Sequence, residues 1–332
     1  MKRIISILTA LFFILGSLSI SSFAVESTDP FDISNFTDER LDLSNITMDE
    51  LLAMSSEEFS EMVLLFEEVY NPFGSYSEFN NNIIEEDIVI PEDNTISPLW
   101  DSGEIVNGEW TEVGCHELIT MKACNILLSD RGFFENSSAS AVATTLYISL
   151  ASMLPDTDEI GLAFSGHFYN PATGNNYLGS TTDTALTRAA NHYANAISYA
   201  SSNNMTAAYE SLGRCLHYVQ DVNVPHHANN TTGLNPSHSA FENYALENFN
   251  DFTSWVGSFT ASTYDTALNR TIEQLVHSAA SSATAYTSVT YSIFNENEWV
   301  EPATNCLVNA IGYSAMVLYK FGCEPSVPFY SN

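Results

Sequence analysis

His217-Tyr218-Val219-Gln220-Asp221-Val222-Asn223-Val224-Pro225-His226-His227-Ala228-Asn229-Asn230 is the stretch on which the reading of this 332-residue chain turns. His217 and Asp221 stand four apart at what reads as the end of a helix, so both side chains share one face and can reach one metal ion. Pro225 breaks that helix, and the chain can then return His226 or His227 to the same place. Eleven residues after His227 comes His238-Ser239-Ala240-Phe241-Glu242, a second His and carboxylate four apart on a predicted helix. One such pair alone is commonplace on a helix surface. Two pairs, joined by a short loop with two more histidines, make a dense set of nitrogen and oxygen donors. Zinc is the natural occupant of mixed His and carboxylate sites, although ligand type alone leaves manganese and iron open.

Outward from this stretch, apolar residues recur with helical spacing through most of residues 100–332. Helices are expected near 114–130, 137–153, 180–202, 204–222, 237–250, 264–294 and 303–321. Alanine is abundant and alternating strand patterns are scarce. Asn170–Asn175 and Asn229–Pro236 mark loops. The fold class is all-α, and the length suits one compact multi-helix domain.

The first 99 residues read differently. Lys2 and Arg3 precede an apolar run from Ile4 to about Leu18, and Ser22-Phe23-Ala24 offers small residues for cleavage. Residues 1–24 are therefore expected to be a secretory signal, and the mature protein extracellular. Residues 25–99 are rich in Asp, Glu, Ser and Asn, with one amphipathic helix expected around Asp49–Tyr70 after a Thr47-x-x-Glu50 capping pattern. Composition alone leaves this segment as a pro-piece or a flexible extension. The formal charge is -32, and 19 of the 41 Asp and Glu precede Trp100. The other 22 stand against six Lys and Arg, so residues 100–332 remain acidic. Such a surface repels nucleic-acid backbones and anionic membranes. Of the five cysteines, an odd count leaves at least one unpaired, and no CxxC pair suggests a thiolate site.

The pattern His217-Tyr-x-x-Asp221-x-x-x-Pro225-x-His227-Ala-Asn, followed by His238-x-x-x-Glu242, resembles the signature of the bacterial zinc-dependent phospholipases C, including the catalytic domain of the alpha-toxins. The resemblance extends from Trp100 to the C-terminus, without the additional C-terminal lipid-binding domain of the alpha-toxins. It implies a helical fold shared with the single-strand nucleases and three zinc ions. The family's mature enzymes begin with a tryptophan whose amino group and carbonyl oxygen bind zinc, and Trp100-Asp101-Ser102-Gly103 matches that start. The resemblance thus turns residues 25–99 into a propeptide removed by a maturing protease, leaving residues 100–332 as the catalytic domain. His116 matches the next ligand, and His167-Phe168-Tyr169-Asn170-Pro171 matches a later one. The ligand aspartate is assigned to Asp156, with Asp158 as the alternative. The implied set is Trp100, His116, Asp156, His167, His217, Asp221, His227, His238 and Glu242. Family spacing prefers His227 to His226, which becomes a neighbour.

What the resemblance implies chemically is hydrolysis of a phospholipid to diacylglycerol and a phosphorylated headgroup, at a membrane or micelle surface, by a monomer. Asp156 is expected to orient or deprotonate the attacking water as well as to touch zinc. Gly103 and Thr157 stand where choline-preferring members carry a glutamate and a tyrosine, so the headgroup stays open. Glu104, Phe168 and Tyr169 are candidates to compensate. Two competing readings are a zinc-dependent single-strand nuclease of the same fold, which the acidity disfavours, and a secreted zinc-binding protein without catalysis.

Overall fold

The computed structural model describes residues 113–132, 138–159 and 161–327, a short hairpin at 105–106 and 109–110, and a few helical positions within 58–65. Trp100, Glu104 and the expected signal segment lie outside the described residues. The described chain is helical apart from the hairpin, in which Ile105 pairs with Trp110 and Val106 with Glu109.

The helices are α1 (Cys115–Arg131), α2 (Ser138–Asp158), α3 (Ala185–Ser201), α4 (Met205–Asp221), α5 (Pro225–Ala228), α6 (Pro236–Glu247), α7 (Phe249–Thr253), α8 (Ala261–Asn269), α9 (Ile272–Ala283), α10 (Thr287–Thr290) and α11 (Val300–Gly322). A 3-10 segment, Gly161–His167, connects α2 toward α3. The expected helix over 264–294 is instead divided. Thr271 caps a fresh start, its hydroxyl accepting from the Gln274 N–H while the Gln274 side chain returns the bond, so α9 begins anew. Beyond Ala283 the chain tightens into a 3-10 turn before α10.

Helix α4 is the hub. Its apolar residues Met205, Ala208, Tyr209, Leu212, Cys215, Leu216 and Val219 are buried, and it packs against α2, α3 and α11. Asn204 caps it, its side chain accepting from the Ala207 N–H at 3.3 Å. At Gly213 the packing is closest: a Cβ there would sit 2.7 Å from the Ile148 carbonyl oxygen of α2. Only glycine lets the two helices meet at this depth, one turn before His217.

All five cysteines are free thiols, four of them buried, and burial pushes Cys124 up to about 12. Met62 is also buried, and Leu64 and Leu65 pack against the same core. These helical positions belong to the segment expected as a propeptide. No described helix is long and apolar enough to cross a membrane.

Candidate metal centre

The last turn of α4 delivers His217 and Asp221 into the interior, both essentially inaccessible to water. Pro225 then opens the short helix α5 at its first position, where the missing N–H costs nothing, and α5 carries His226 and His227. Asn235 caps α6, with Pro236 at its start, and His238 and Glu242 follow one turn apart. His116 is the second residue of α1, Asp156 lies in the last turn of α2, and His167 ends the 3-10 segment.

These side chains converge on three groups of donor atoms, each within 4.8 Å: His116, His217 and Asp221; Asp156, His167 and His217; His227, His238 and Glu242. Asp221 belongs to the first group, borders the second and approaches the third from behind, at the Nδ1 side of His227. Its carboxylate lies 3.0 Å from His167 Nδ1, 3.2 Å from His217 Nε2 and 3.8 Å from His227 Nδ1. Asp156 lies 3.5 Å from both His167 Nδ1 and His217 Nε2. Glu242 Oε1 receives His227 Nε2 at 3.2 Å and His238 Nε2 at 3.1 Å. Asp158 instead turns to Arg214, 2.5 Å away. The structure therefore brings Asp156, and not Asp158, to the histidines.

The donor set fits a metal ion on three observations. First, several imidazoles are fixed by their far nitrogen. His116 Nδ1 donates to Gln220 Oε1 at 2.7 Å, His217 Nδ1 to the Ser152 carbonyl at 2.8 Å, and His227 Nδ1 to the His167 carbonyl at 3.0 Å. His167 is reversed, with Nε2 donating to Glu159 Oε2 at 3.1 Å and Nδ1 facing the centre. In each case the remaining nitrogen is oriented inward, as metal-binding histidines require. Second, among the described residues Glu242 Oε2 is buried without a hydrogen-bond partner. Such an orphan atom is rare in a folded interior unless another group serves it. Third, the set is five imidazoles with three carboxylates, the donor chemistry of zinc.

The electrostatics follow from burial and crowding. Burial and the adjacent His217 hold the His116 imidazole down at about 3, which keeps it neutral. Burial pushes the Asp156 carboxyl up to about 6, against the pull of His217 and His167. Burial would raise Glu242 too, but His238 and His227 outweigh it and hold the carboxyl at about 2. Asp221 is likewise held well below the ordinary range, because His217, His227 and the hydrogen bonds from His167 and His217 overcome its burial. Burial disfavours charge on His167 and His227, yet Asp221 beside both, with Glu242 beside His227, raises each above the usual imidazole value.

His226 is separate. Its Nε2 lies 3.1 Å from both Ser237 Oγ and the Thr290 carbonyl, and its ring stacks on His238 at 4.9 Å. Phe168 corrects the expectation of a headgroup contact. Its side chain is 0% exposed and stacks on His227 at 4.6 Å, so it walls an imidazole and offers no open face. Tyr169 is also buried, and its hydroxyl is engaged with His277 at 2.9 Å. Sequence reasoning missed Gln220 and Glu159. Gln220 is fully buried, its amide nitrogen donating to Thr120 Oγ1 at 2.9 Å and Ser314 Oγ at 3.1 Å, which fixes its oxygen toward His116. Glu159 accepts from His167, Tyr218 and Arg188, and Arg188 is held in turn by two bonds to Asp183, 2.6 and 3.0 Å. Only the position of Glu159, three residues after Asp156, hinted at this.

Residues 127–286 match the family model described as zinc dependent phospholipase C. That stretch, just under half of the chain, is similar to the zinc-dependent phospholipase C family. A relative named phospholipase C, from Paraclostridium bifermentans, is 26% identical over 245 residues, covering 66% of this chain and 61% of that one. Another of that name, from Listeria monocytogenes, is 38% identical over 84 residues, covering 24% of this chain and 29% of its own. The chain thus spans about three fifths of the first relative's length and less of the second's. Among solved structures, an alpha toxin from Clostridium absonum superposes with a TM-score of 0.56 at 23% identity, covering 63% of each chain, and shares the helical fold.

Proposed function

We propose that this chain is a secreted zinc-dependent phospholipase C that hydrolyses the glycerol-side phosphodiester bond of a phospholipid. The observation that carries the reading is the buried set of three donor groups around Asp221, in a chain similar to proteins named phospholipase C. His116, Asp156, His167, His217 and Asp221 would hold zinc on one side of that carboxylate. His227, His238 and Glu242 would hold it on the other. Trp100 would complete the set once cleavage after Leu99 frees its amine, for a total of three ions. When bound, zinc supplies positive charge for the phosphoryl oxygens and lowers the pKa of water near neutrality.

The chain's own residues do the rest. The far-nitrogen bonds to Gln220, Ser152 and the His167 carbonyl orient the imidazoles before substrate arrives. Asp156, a buried carboxylate 3.5 Å from both His167 Nδ1 and His217 Nε2, would orient the attacking water and take its proton. The uncharged surroundings described below favour a neutral or zwitterionic headgroup.

The test uses protein secreted into medium. Intact mass, N-terminal sequencing and zinc content should give a chain starting at Trp100 with about three zinc ions. Short-chain phospholipids of several headgroups should release diacylglycerol, and Asp156→Asn should abolish this while the protein stays folded. Release of nucleotides from single-stranded DNA with no action on any lipid would overturn the reading. Full activity in a chain that retains residues 25–99 would overturn the role of Trp100.

A further inference from the structure

Charge is absent from several long stretches of this acidic chain, and three of them lie near the metal centre. No Asp, Glu, Lys or Arg occurs in 161–182, 222–241 or 274–295, although residues 100–332 carry 22 carboxylates and six Lys and Arg. Hydrogen bonds join these stretches in space. Asn230 Nδ2 donates to the Asn175 carbonyl at 3.2 Å, tying the second stretch to the first. Asn235 Nδ2 donates to the Tyr291 carbonyl at 3.2 Å, tying the third to the second. The first contains His167 and the second His227 and His238 of the metal centre, and the third meets the neighbouring His226 through Thr290.

The same stretches carry exposed apolar side chains. Leu162 is 76% exposed, Leu234 71% and Phe294 89%, and Leu178, Tyr291 and Ile293 are also exposed. These are six of the ten large apolar side chains exposed among the described residues, on under a third of those residues. Scattered single exposures need no explanation, but apolar side chains gathered on linked, uncharged segments beside a site mark an interaction surface. A protein partner or nucleic acid would commonly be met with charge along its contact surface, and within these three segments there is none, Glu296 and Glu298 following just after the third. Leucine, tyrosine and phenylalanine among asparagine, serine and threonine suit the headgroup level of a bilayer, where apolar tips enter the acyl boundary and amides stay wet. The acidic remainder repels anionic lipid and leaves a zwitterionic surface as the matching occupant.

We infer that the linked segments 161–182, 222–241 and 274–295 form the surface by which this protein docks on a zwitterionic lipid bilayer, with Leu162, Leu234 and Phe294 as its principal apolar contacts. The inference rests on the phospholipase reading for its purpose and on charge and exposure for its location. Docking would present lipid headgroups to the segments that carry His167, His227 and His238.

The test separates docking from catalysis. The full chain with its zinc, as wild type and as the triple variant Leu162→Ser, Leu234→Ser and Phe294→Ser, is cosedimented with phosphatidylcholine vesicles and with vesicles enriched in phosphatidylglycerol. Each is also assayed on short-chain phospholipids below their micelle concentration. Wild type should bind phosphatidylcholine vesicles more tightly than the anionic ones. The triple variant should bind them roughly tenfold more weakly or worse. Both proteins should melt alike and hydrolyse the dissolved lipid at the same rate. Equal vesicle binding by the variant, a preference for anionic vesicles, or a wild-type dimer that the triple variant splits would each overturn the docking surface. Vesicle binding lost in the variant, with no dissolved lipid hydrolysed by either protein, would support docking and sink the phospholipase reading instead.

Discussion

The two halves of the metal centre are assembled in opposite ways. His227, His238 and Glu242 come from within fifteen positions of the chain, on two consecutive short helices. His116, Asp156, His167, His217 and Asp221 come from α1, α2, the 3-10 segment and α4, and the bond from His116 to Gln220 spans 104 positions. The local half needs only a turn and two helix starts. The distributed half needs α4 to be gripped by α1 and α2 at the right depth. A distributed site registers any shift in helix packing, whereas a local one survives it, and the two should fail separately except where Asp221 joins them.

The largest effect is expected at that joint. Asp221→Asn removes a buried charge that faces His167, His217 and His227, and it should strip most zinc from both halves and lower turnover by roughly 10³-fold. Glu242→Gln should cost the local half its zinc while the distributed half keeps most of its own. Zinc content by mass spectrometry distinguishes them. If Glu242→Gln depletes the protein as fully as Asp221→Asn, the two halves are one cooperative unit and the comparison fails.

A smaller effect is expected one step back, at Glu159. It accepts from His167 Nε2 and is itself held by Tyr218 and Arg188. Glu159→Gln should weaken zinc binding by roughly 10- to 100-fold, seen by competition with a chelator, and only in the distributed half. Unchanged affinity would mean that packing alone holds the His167 ring, for which its stacking on Phe164 at 4.2 Å is the ready candidate.

The same contrast explains what was legible in the sequence. The four-residue spacings of His217 with Asp221 and of His238 with Glu242, and the Pro225 break, are local rules, and the structure places those residues as the spacing requires. The all-α class followed from periodicity in the same way. His116, Asp156 and His167 carry no local mark of their own; family resemblance singled them out, and helix packing brings them in. Gln220 and Glu159 read as ordinary polar residues on or beside a helix, because a group that orients an imidazole is defined by its partner 104 or 8 positions away. Phe168 misled for the converse reason: an aromatic beside a ligand looks available until packing shows both neighbours that cover it. The division of 264–294 was readable in Thr271 and Gln274, a capping pair hidden inside an unbroken apolar period.

Gly213 offers a way to perturb only the distributed half from outside it. A methyl group there must push α4 from α2, and overpacking of this kind costs about 1–3 kcal/mol. Gly213→Ala should lower stability in chemical denaturation by that amount. It should also loosen the bond from His217 to the Ser152 carbonyl, one turn further along both helices. Zinc held by His227, His238 and Glu242 should be retained. Loss of that zinc first would show that the local half depends on α4 more than its sequence spacing suggests.

The smallest effect is a dependence on pH, and its sign separates metal-free from zinc-loaded protein. His167 and His227 have pKa values raised in the folded chain. A raised value contributes stability that is present below the unfolded pKa and is lost as pH rises through the folded one. His116 and His226, both lowered to about 3, have the opposite sign, but their contribution is largely complete once pH is past about 7, above the ordinary imidazole value of 6.5. Glu242 at about 2 has finished titrating by then, and Asp156, raised to about 6, acts with the same sign as His167 and His227 as its titration ends. Above about 7, then, the raised His167 and His227 set the sign, and the metal-free protein should melt at progressively lower temperature as pH rises toward 8. Zinc needs those imidazoles deprotonated, so its binding tightens over the same interval. The rise in melting temperature on adding zinc should therefore grow with pH, by a few degrees across this range, and calorimetry in buffers of different ionisation enthalpy should detect proton release on binding. A zinc-induced rise that is constant with pH would mean that the imidazoles are already neutral before metal arrives, and that Asp221 does less to charge His167 and His227 than their 3.0 and 3.8 Å separations imply.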